Sequence, residues 1–472
     1  MKEMALALLI ILAAGFFNSL AAQCKADGGV ITVSKSTSCD EIKKGIAIAH
    51  DGQVVKVLLG TYPENISITN GIKVVGEISK NAKGEIIRPV IVSQSEVVVR
   101  ITGNNITLEG FEIRNVKPGE QLLEITKEEE KHGIGRTGIL VEPNSSQVTI
   151  ANNKITKIGY RYRSSSEYHQ EQALGINVKS YGGMGKITVV AITGNELSEL
   201  NLGQSEAIAI NGDVETFTIE NNRIHDVDNI AIDIGGFQEE CPQHSGTPCR
   251  EQAQSGKIIG NKVWNLTPGN PGQKEVGGFI AGIYIDGGKD TVILGNQVFN
   301  FGIGVSIGSE YIGKSVSEIE ISNNLIYENK IVGILIGKGD EQSSYVSNCV
   351  VNHNTIQNNG SKDNDGGQIR LESYLPNALQ NIQIEDNLIL LTESETHRVL
   401  LFVENCLPKN DKCNPQKILT GVTLNHNYFF ASEYDEAWYF KGINGITNQT
   451  IVSYFEKDKF LNNKLGIISF PK

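Results

Sequence analysis

Apolar and polar positions alternate in short bursts along this chain, and the bursts share one grammar. One phrase reads apolar-x-apolar-x-x-Asn-x-apolar, as in Val148-Thr-Ile-Ala-Asn-Asn153-Lys-Ile and Phe217-Thr-Ile-Glu-Asn-Asn222-Arg-Ile. The same frame, at times shortened, returns around Asn195, Asn261, Asn296, Asn324, Asn354, Asn387 and Asn427, at intervals of 27 to 42 residues. Between these lies a second phrase, Gly-apolar-x-apolar, at Gly138, Gly175, Gly282, Gly304 and Gly333, with Ala207 and Ala231 in the glycine's place in two turns. Period-two alternation over so few residues predicts short strands. A fixed strand grammar with loops of free length predicts a solenoid, because strands this short bury a face only by stacking on the next copy. Asn suits the bend, where its amide can bond the Asn one rung away. The expectation is an all-β fold, a single-stranded right-handed parallel β-helix solenoid. A β-propeller would need more even spacing and hairpin turns.

Both ends depart from the grammar. Lys2 precedes an apolar run from Met4 to Phe17 and small residues around Ala21, which reads as an export signal over residues 1–21, too short to span a bilayer. Residues 22–64 are expected to form an N-terminal cap: a strand at Gly29–Val33, an N-capped amphipathic helix at Glu41–His50 and a strand at Val54–Leu59. The solenoid is expected over residues 65–430, with a C-terminal cap over 431–472 around Ala437-Trp-Tyr-Phe440.

These phrases resemble the secreted pectate-lyase-like β-helix superfamily, and Gly60-Thr-Tyr-Pro-Glu64 followed by Gly71-Ile-Lys-Val-Val-Gly76 resembles its entry motif. The resemblance covers roughly residues 50 to 430 and implies fold rather than reaction, since that superfamily holds lyases, hydrolases, epimerases and binding proteins.

The formal charge of −12 is spread along the chain, which argues against nucleic acid as a partner. An exported chain permits disulfides, and six of the seven Cys fall as the local pairs Cys24–Cys39, Cys241–Cys249 and Cys406–Cys413. Cys349 is left as a buried thiol. The chain is expected to be secreted, periplasmic or extracellular, and monomeric, with no membrane span beyond the signal.

Stacking turns the repeats into columns, each rung ~4.8 Å above the last. One outward column reads Leu140, Asn177, Ala209, Asp233, Tyr284, Ser306, Leu335; two residues on, a second reads Glu142, Lys179, Asn211, Gly235, Asp286, Gly308, Gly337. Asn177, Lys179, Asn211, Asp233, Tyr284 and Asp286 are therefore expected on one surface, with Asp213 close by, walled by long insertions. One insertion carries Arg161, Arg163 and several tyrosines, suited to sugar rings and carboxylates. A third column, His225, Trp264, Phe299, Tyr327, reads either as a sugar platform or as stacking along the rod.

Three functions fit. The first, preferred because of Lys179 and the basic loop, is a polysaccharide lyase that cleaves an acidic polysaccharide by β-elimination. The resemblance implies for it a cation held by Asp and Asn with Lys or Arg as the base: Lys179 here, and Ca²⁺ on Asp233, Asp286, Asn211 and Asp213. The second is a glycoside hydrolase using Asp233 and Asp286 as paired carboxylates, with Cα atoms roughly 8 Å apart. The third is a glycan-binding surface or matrix protein without catalysis.

Overall fold

The computed structural model describes residues 24–124, 135–161, 172–241, 249–268, 278, 280–338, 344–360, 366–373, 375, 377–392, 399–404, 416–431, 438–440 and 459–467. Each coil gives one strand to each of three sheets, of 15, 12 and 13 strands among the described residues. Neighbouring rungs pair in parallel, the antiparallel strand pairs among the described residues being Ala26–Asp27 with Val30–Val33 and Ser79–Lys80 with Ile86–Ile87. The chain is a parallel β-helix, as the repeat grammar requires.

The inward positions are Ile and Val because a stack of short strands fills its bore with branched side chains. Ile232, Ile234, Ile283 and Ile285 are fully buried on two successive rungs. The outward columns read from sequence are the observed register: Asn177 pairs with Ala209, Ala209 with Asp233, Asp233 with Tyr284, and Tyr284 with Ser306.

The recurrent Asn side chains form a buried ladder through one corner of the coil. The Oδ1 of Asn261 accepts the backbone N–H of Asn222 at 2.9 Å and its side-chain N–H at 3.0 Å. The Nδ2 of Asn261 in turn donates to Ile219 O and to Asn296 Oδ1. The pattern runs from Asn153 through Asn427 to Asn463. The left-handed turn lies one residue earlier than the ladder Asn: Asn152, Gly194, Asn221, Gly260, Gly295, Asn323, His353, Asp386 and His426 all have φ between 53° and 67°. The pair is thus a division of labour, the first residue bending the backbone and the second bonding the rungs.

The N-terminal helix is Ile42–Ile48, and its N-terminus is capped from a distance. Glu41 makes no side-chain cap; the Glu64 carboxylate accepts the N–H groups of Ile42 at 2.8 Å and Lys43 at 3.0 Å. Beyond Ala431 the coil continues for one more rung, with Trp438–Phe440, Phe460–Leu461 and Lys464–Ile467 each added to one sheet. Residues 1–21 and the pair Cys406–Cys413 lie outside the described residues. Cys24–Cys39 and Cys241–Cys249 are disulfides, and Cys349 is a buried free thiol. No helix among the described residues is long and apolar enough to cross a membrane.

Candidate active site

A cleft of about 520 Å³ opens on the outer face of the 12-stranded sheet at its middle rungs. Its lining includes Asn177, Lys179, Asn211, Asp233, Tyr284 and Asp286, six residues expected on this surface from the columns. Asp233 lies in the strand Ile232–Gly235 and Asp286 ends the strand Ala281–Asp286. Because Asp233 pairs with Tyr284, the second acid lies one rung up and two residues on. Both are buried, at 3% and 7% exposure, although they face outward. Segments at the strand ends cover them: Gln204–Glu206 on one side, Glu310 and Tyr311 on the other, and Gln238 over Asn211.

Two further carboxyls complete the group, Glu206 and Glu310. Burial pushes Asp233 well above the usual carboxylate range, and the charges of Glu206, Asp286 and Glu310 add to this. Burial likewise raises Glu206 to about 8 and Asp286 to about 7. Asp286 has compensating partners: its Oδ1 accepts the Glu310 N–H at 2.7 Å, the Tyr284 hydroxyl bonds it, and Lys338 lies near. The Lys338 ammonium is 3.7 Å from Glu310. Asp233 Oδ1 and Asn177 Oδ1 are buried and have no hydrogen-bond partner. Tyr181, Tyr284 and Tyr311 surround the acids, and burial holds each phenol neutral.

The glycines after the acids serve backbone contact between rungs. A Cβ on Gly236 would meet Gly287 O at 2.5 Å, so these glycines admit the neighbouring rung rather than a ligand. Gly235 has the other role: a Cβ there would lie 1.5 Å from Asn211 Oδ1, so the Asn211 amide occupies the space a side chain would fill.

Other expected site residues are placed elsewhere. Asp213 does not line the cleft; its Oδ2 accepts the Arg250 N–H at 3.2 Å. Among the described residues no group of three or more His, Cys, Asp or Glu side chains converges as metal ligands. Asp233, Asp286 and Asn211 share the cleft, and Asp213 does not join them there. Arg161 is exposed and paired with Glu124, and Arg163 lies outside the described residues. His225 and Trp264 belong to the 13-stranded sheet, away from the cleft. Their rings stack at 4.2 Å, and Trp264 on Phe299 and Phe299 on Tyr327 continue the pile at 6.3 and 4.6 Å. Ring faces covered by one another are not free for sugars, so this column stacks along the rod.

Lys179 is exposed, its ammonium 6.0 Å from the Tyr181 ring centroid. The cation that acts on Asp286 and Glu310 is Lys338, whereas Lys179 lies at the exposed edge of the lining. Sequence reasoning missed Glu206, Glu310, Tyr181 and Tyr311 because they sit just outside the strand phrase. Glu206 immediately precedes Ala207, so a column drawn one residue ahead of the phrase contains it.

Residues 137–351 match the family model described as right handed beta helix region. An uncharacterized Bacillus subtilis (strain 168) protein, YwoF, is 27% identical over 404 residues, 83% of this chain and 76% of that protein. Among solved structures, the A-module of an Azotobacter vinelandii mannuronan C-5 epimerase, AlgE6, superposes with a TM-score of 0.57 at 12% identity, covering 91% of this chain and 95% of that one. A tailspike protein double mutant of E. coli bacteriophage HK620 gives 0.52 at 12% identity, covering 88% of this chain and 60% of that one. At such identities the likeness is one of fold. Strand register, buried ladder and family match agree: the chain is a right-handed parallel β-helix protein.

Proposed function

We propose that the chain is an exported, carbohydrate-active protein that cleaves a glycosidic bond with paired carboxyl groups at its middle rungs. The observation that carries this reading is the placement of Asp233 and Asp286 on adjacent rungs, two residues apart, in one cleft. Strand geometry puts their Cα atoms roughly 8 Å apart. Their surroundings separate their roles. Asp286 receives donors that stabilise its charge, whereas Asp233 has none at Oδ1 and keeps its proton longer. Asp233 is then the general acid, protonating the glycosidic oxygen as the C1–O bond breaks. Asp286 either activates the attacking water or attacks C1 itself, and water restores the acid at the end. The Tyr284 hydroxyl orients Asp286. Two disulfides fit an oxidising compartment, and carbohydrate-acting proteins among the structural likenesses agree with a glycan substrate.

A β-elimination reading retains one observation, that Lys179 lines the same cleft. It is weaker here because four carboxyls oppose a uronate and Arg161 is already paired. The test is a screen of the purified protein against neutral, cationic and acidic polysaccharides, reading reducing ends and the ultraviolet absorbance of unsaturated products. Hydrolysis gives reducing ends alone, and then Asp233→Asn and Asp286→Asn each cost several orders of magnitude in kcat while Lys179→Ala costs little. Unsaturated product lost on Lys179→Ala establishes the lyase instead. Retained but uncut polymer establishes a binding protein.

A further inference from the structure

Three successive backbone N–H groups beside the cleft each find a side-chain acceptor. Their segment begins where the strand Ile303–Gly308 ends. The Ser309 N–H donates to Ser344 Oγ at 2.9 Å, the Glu310 N–H to Asp286 Oδ1 at 2.7 Å and the Tyr311 N–H to Ser309 Oγ at 3.2 Å. Both serines are fully buried. Asp286 pairs with Gly308, so the segment leaves the sheet beside the acid. Ser344 comes from further along the chain, between the strands Val332–Lys338 and Tyr345–Asn352. The first of these stands two rungs above the strand of Asp286. Glu310 acts on Asp286 in two opposed ways: its N–H favours the ionised carboxylate, and the charge of its side chain disfavours it. That side chain is 59% exposed and 3.7 Å from the Lys338 ammonium. An exposed pair of this kind holds a segment weakly, whereas a buried hydroxyl that accepts a buried N–H holds it firmly.

We propose that Ser344 and Ser309 are positioning residues for Asp286, fixing the N–H groups on either side so that the Glu310 amide stays on the Asp286 carboxylate. Without Ser344 Oγ, the Ser309 N–H is left buried and unpaired, and the segment turns to find another acceptor. The Glu310 N–H then leaves Asp286 Oδ1, and the ionised carboxylate loses a donor. The other groups that act on Asp286 are Tyr284 on its own strand, Lys338, and the cleft acids Asp233 and Glu206. The inference rests on the reading of Asp286 as the group that activates water or attacks C1.

The experiment compares Ser344→Ala, Ser309→Ala and Glu310→Gln with the wild type. On a polysaccharide that the wild type cleaves, Ser344→Ala is expected to lower kcat about ten- to a hundredfold with KM within about twofold. Asp286 must be ionised to act, so the acid limb of its pH profile moves to higher pH, by about half a pH unit or more. Ser309→Ala gives a smaller change of the same sign and carries the test if Ser344→Ala does not fold. Glu310→Gln keeps the N–H and removes the opposing charge, so its acid limb moves to lower pH. A second measurement needs no substrate: the infrared band of the protonated Asp286 carboxyl, isolated by subtracting the spectrum of Asp286→Asn, is followed from about pH 5 to 9. The pH at which the band is lost rises in Ser344→Ala and falls in Glu310→Gln. Shifts of the same sign in both variants overturn the proposal. So does a lower melting temperature in the serine variants with neither kcat nor the band moved. Bands that move as expected in a protein that cleaves no glycan uphold the positioning role and sink the hydrolytic reading. Cleavage that needs Asp286 and is indifferent to both serines does the reverse.

Discussion

Replacing Asp286 with Asn tests whether the acid cluster is held at a cost to the fold. Burial, reinforced by the charge of Glu310, raises the Asp286 carboxyl from its ordinary 3.8 to about 7. A displacement of about three pH units corresponds to about 4 kcal/mol between the protonated and ionised forms in the folded protein. The figure is an upper bound, since Asp233 and Glu206 share protons with Asp286 and adjust when it ionises. The sign follows from proton binding. Between pH 4 and 7, roughly, the unfolded carboxyl is ionised while the folded one keeps its proton. The stabilising contribution is therefore fully present below about pH 4 and is lost as pH rises through about 7. Asn cannot ionise, and its Oδ1 can still accept the Glu310 N–H. The variant should lose less stability than the wild type across this range and be the more stable of the two at about pH 8. Denaturant midpoints at a series of pH values, read by far-ultraviolet circular dichroism, measure the difference. Parallel curves for the two proteins, or a wild type whose stability is flat across the range, would refute the reasoning. The activity profile gives a second check on Asp286→Glu, which keeps a titrating group: its acid limb should move, because the neighbours of a relocated carboxyl ionise at a different pH.

Asn261→Ala removes four buried hydrogen bonds and orphans the Asn222 backbone N–H and one of its two side-chain N–H groups, so it should cost about 3–5 kcal/mol of unfolding free energy; a loss under about 1 kcal/mol would show that the ladder is not a stabilising element. Glu64→Ala leaves the first N–H groups of the Ile42–Ile48 helix uncapped and should cost about 1–2 kcal/mol, with raised amide exchange confined to the cap; Asp40→Ala should change the helix less. Cys241→Ser with Cys249→Ser should leave the global melting temperature nearly unchanged and weaken glycan binding, because the bridge closes a short insertion beside Gln238, which lines the cleft; a large drop in melting temperature would place the bridge in the stability of the rod itself.

The fold was legible because the repeat is written in residue types that only one geometry uses together. Alternating Ile and Val give inward strands, and the Asn phrase gives the corner. The assignment of the bend itself was off by one residue, because Asn tolerates φ > 0 and also bonds its own kind. Sequence cannot tell which of two adjacent Asn does which, and the Gly-Asn and His-Asn corners show that it is the first that bends. The helix cap was illegible for a different reason. Glu64 reaches it from another element, and local capping signals see only neighbours in sequence. At the site, register predicted six lining residues. It failed for Asp213, which lies past the strand end, where alternation no longer dictates direction. For the His225–Trp264 column the sequence left a sugar platform and stacking along the rod open, and the rings stack on one another; the coil has three outward faces, and column membership does not say which one the loops enclose.

The same register explains how a rod of repeats can hold buried acids at all. The Asn ladder, paired at every rung from Asn153 to Asn463, fixes the vertical alignment independently of what stands on the outer face. The outer column is then free to change from rung to rung, and it does: Asn177, Ala209, Asp233, Tyr284 and Ser306 differ in size and charge on identical backbone. Residues distant in sequence become neighbours at strand spacing, whatever the length of the loop between them. Mutual repulsion among Asp233, Asp286, Glu206 and Glu310 cannot be relieved by sliding one rung against the next, since a slip would break several buried amide bonds at once. Burial first, and mutual repulsion second, therefore raise Glu206, Asp233 and Asp286 above the usual carboxylate range. A repeat that bonds its rungs through one corner can therefore place chemistry on another face, and the strength of the ladder sets how much charge that face can carry.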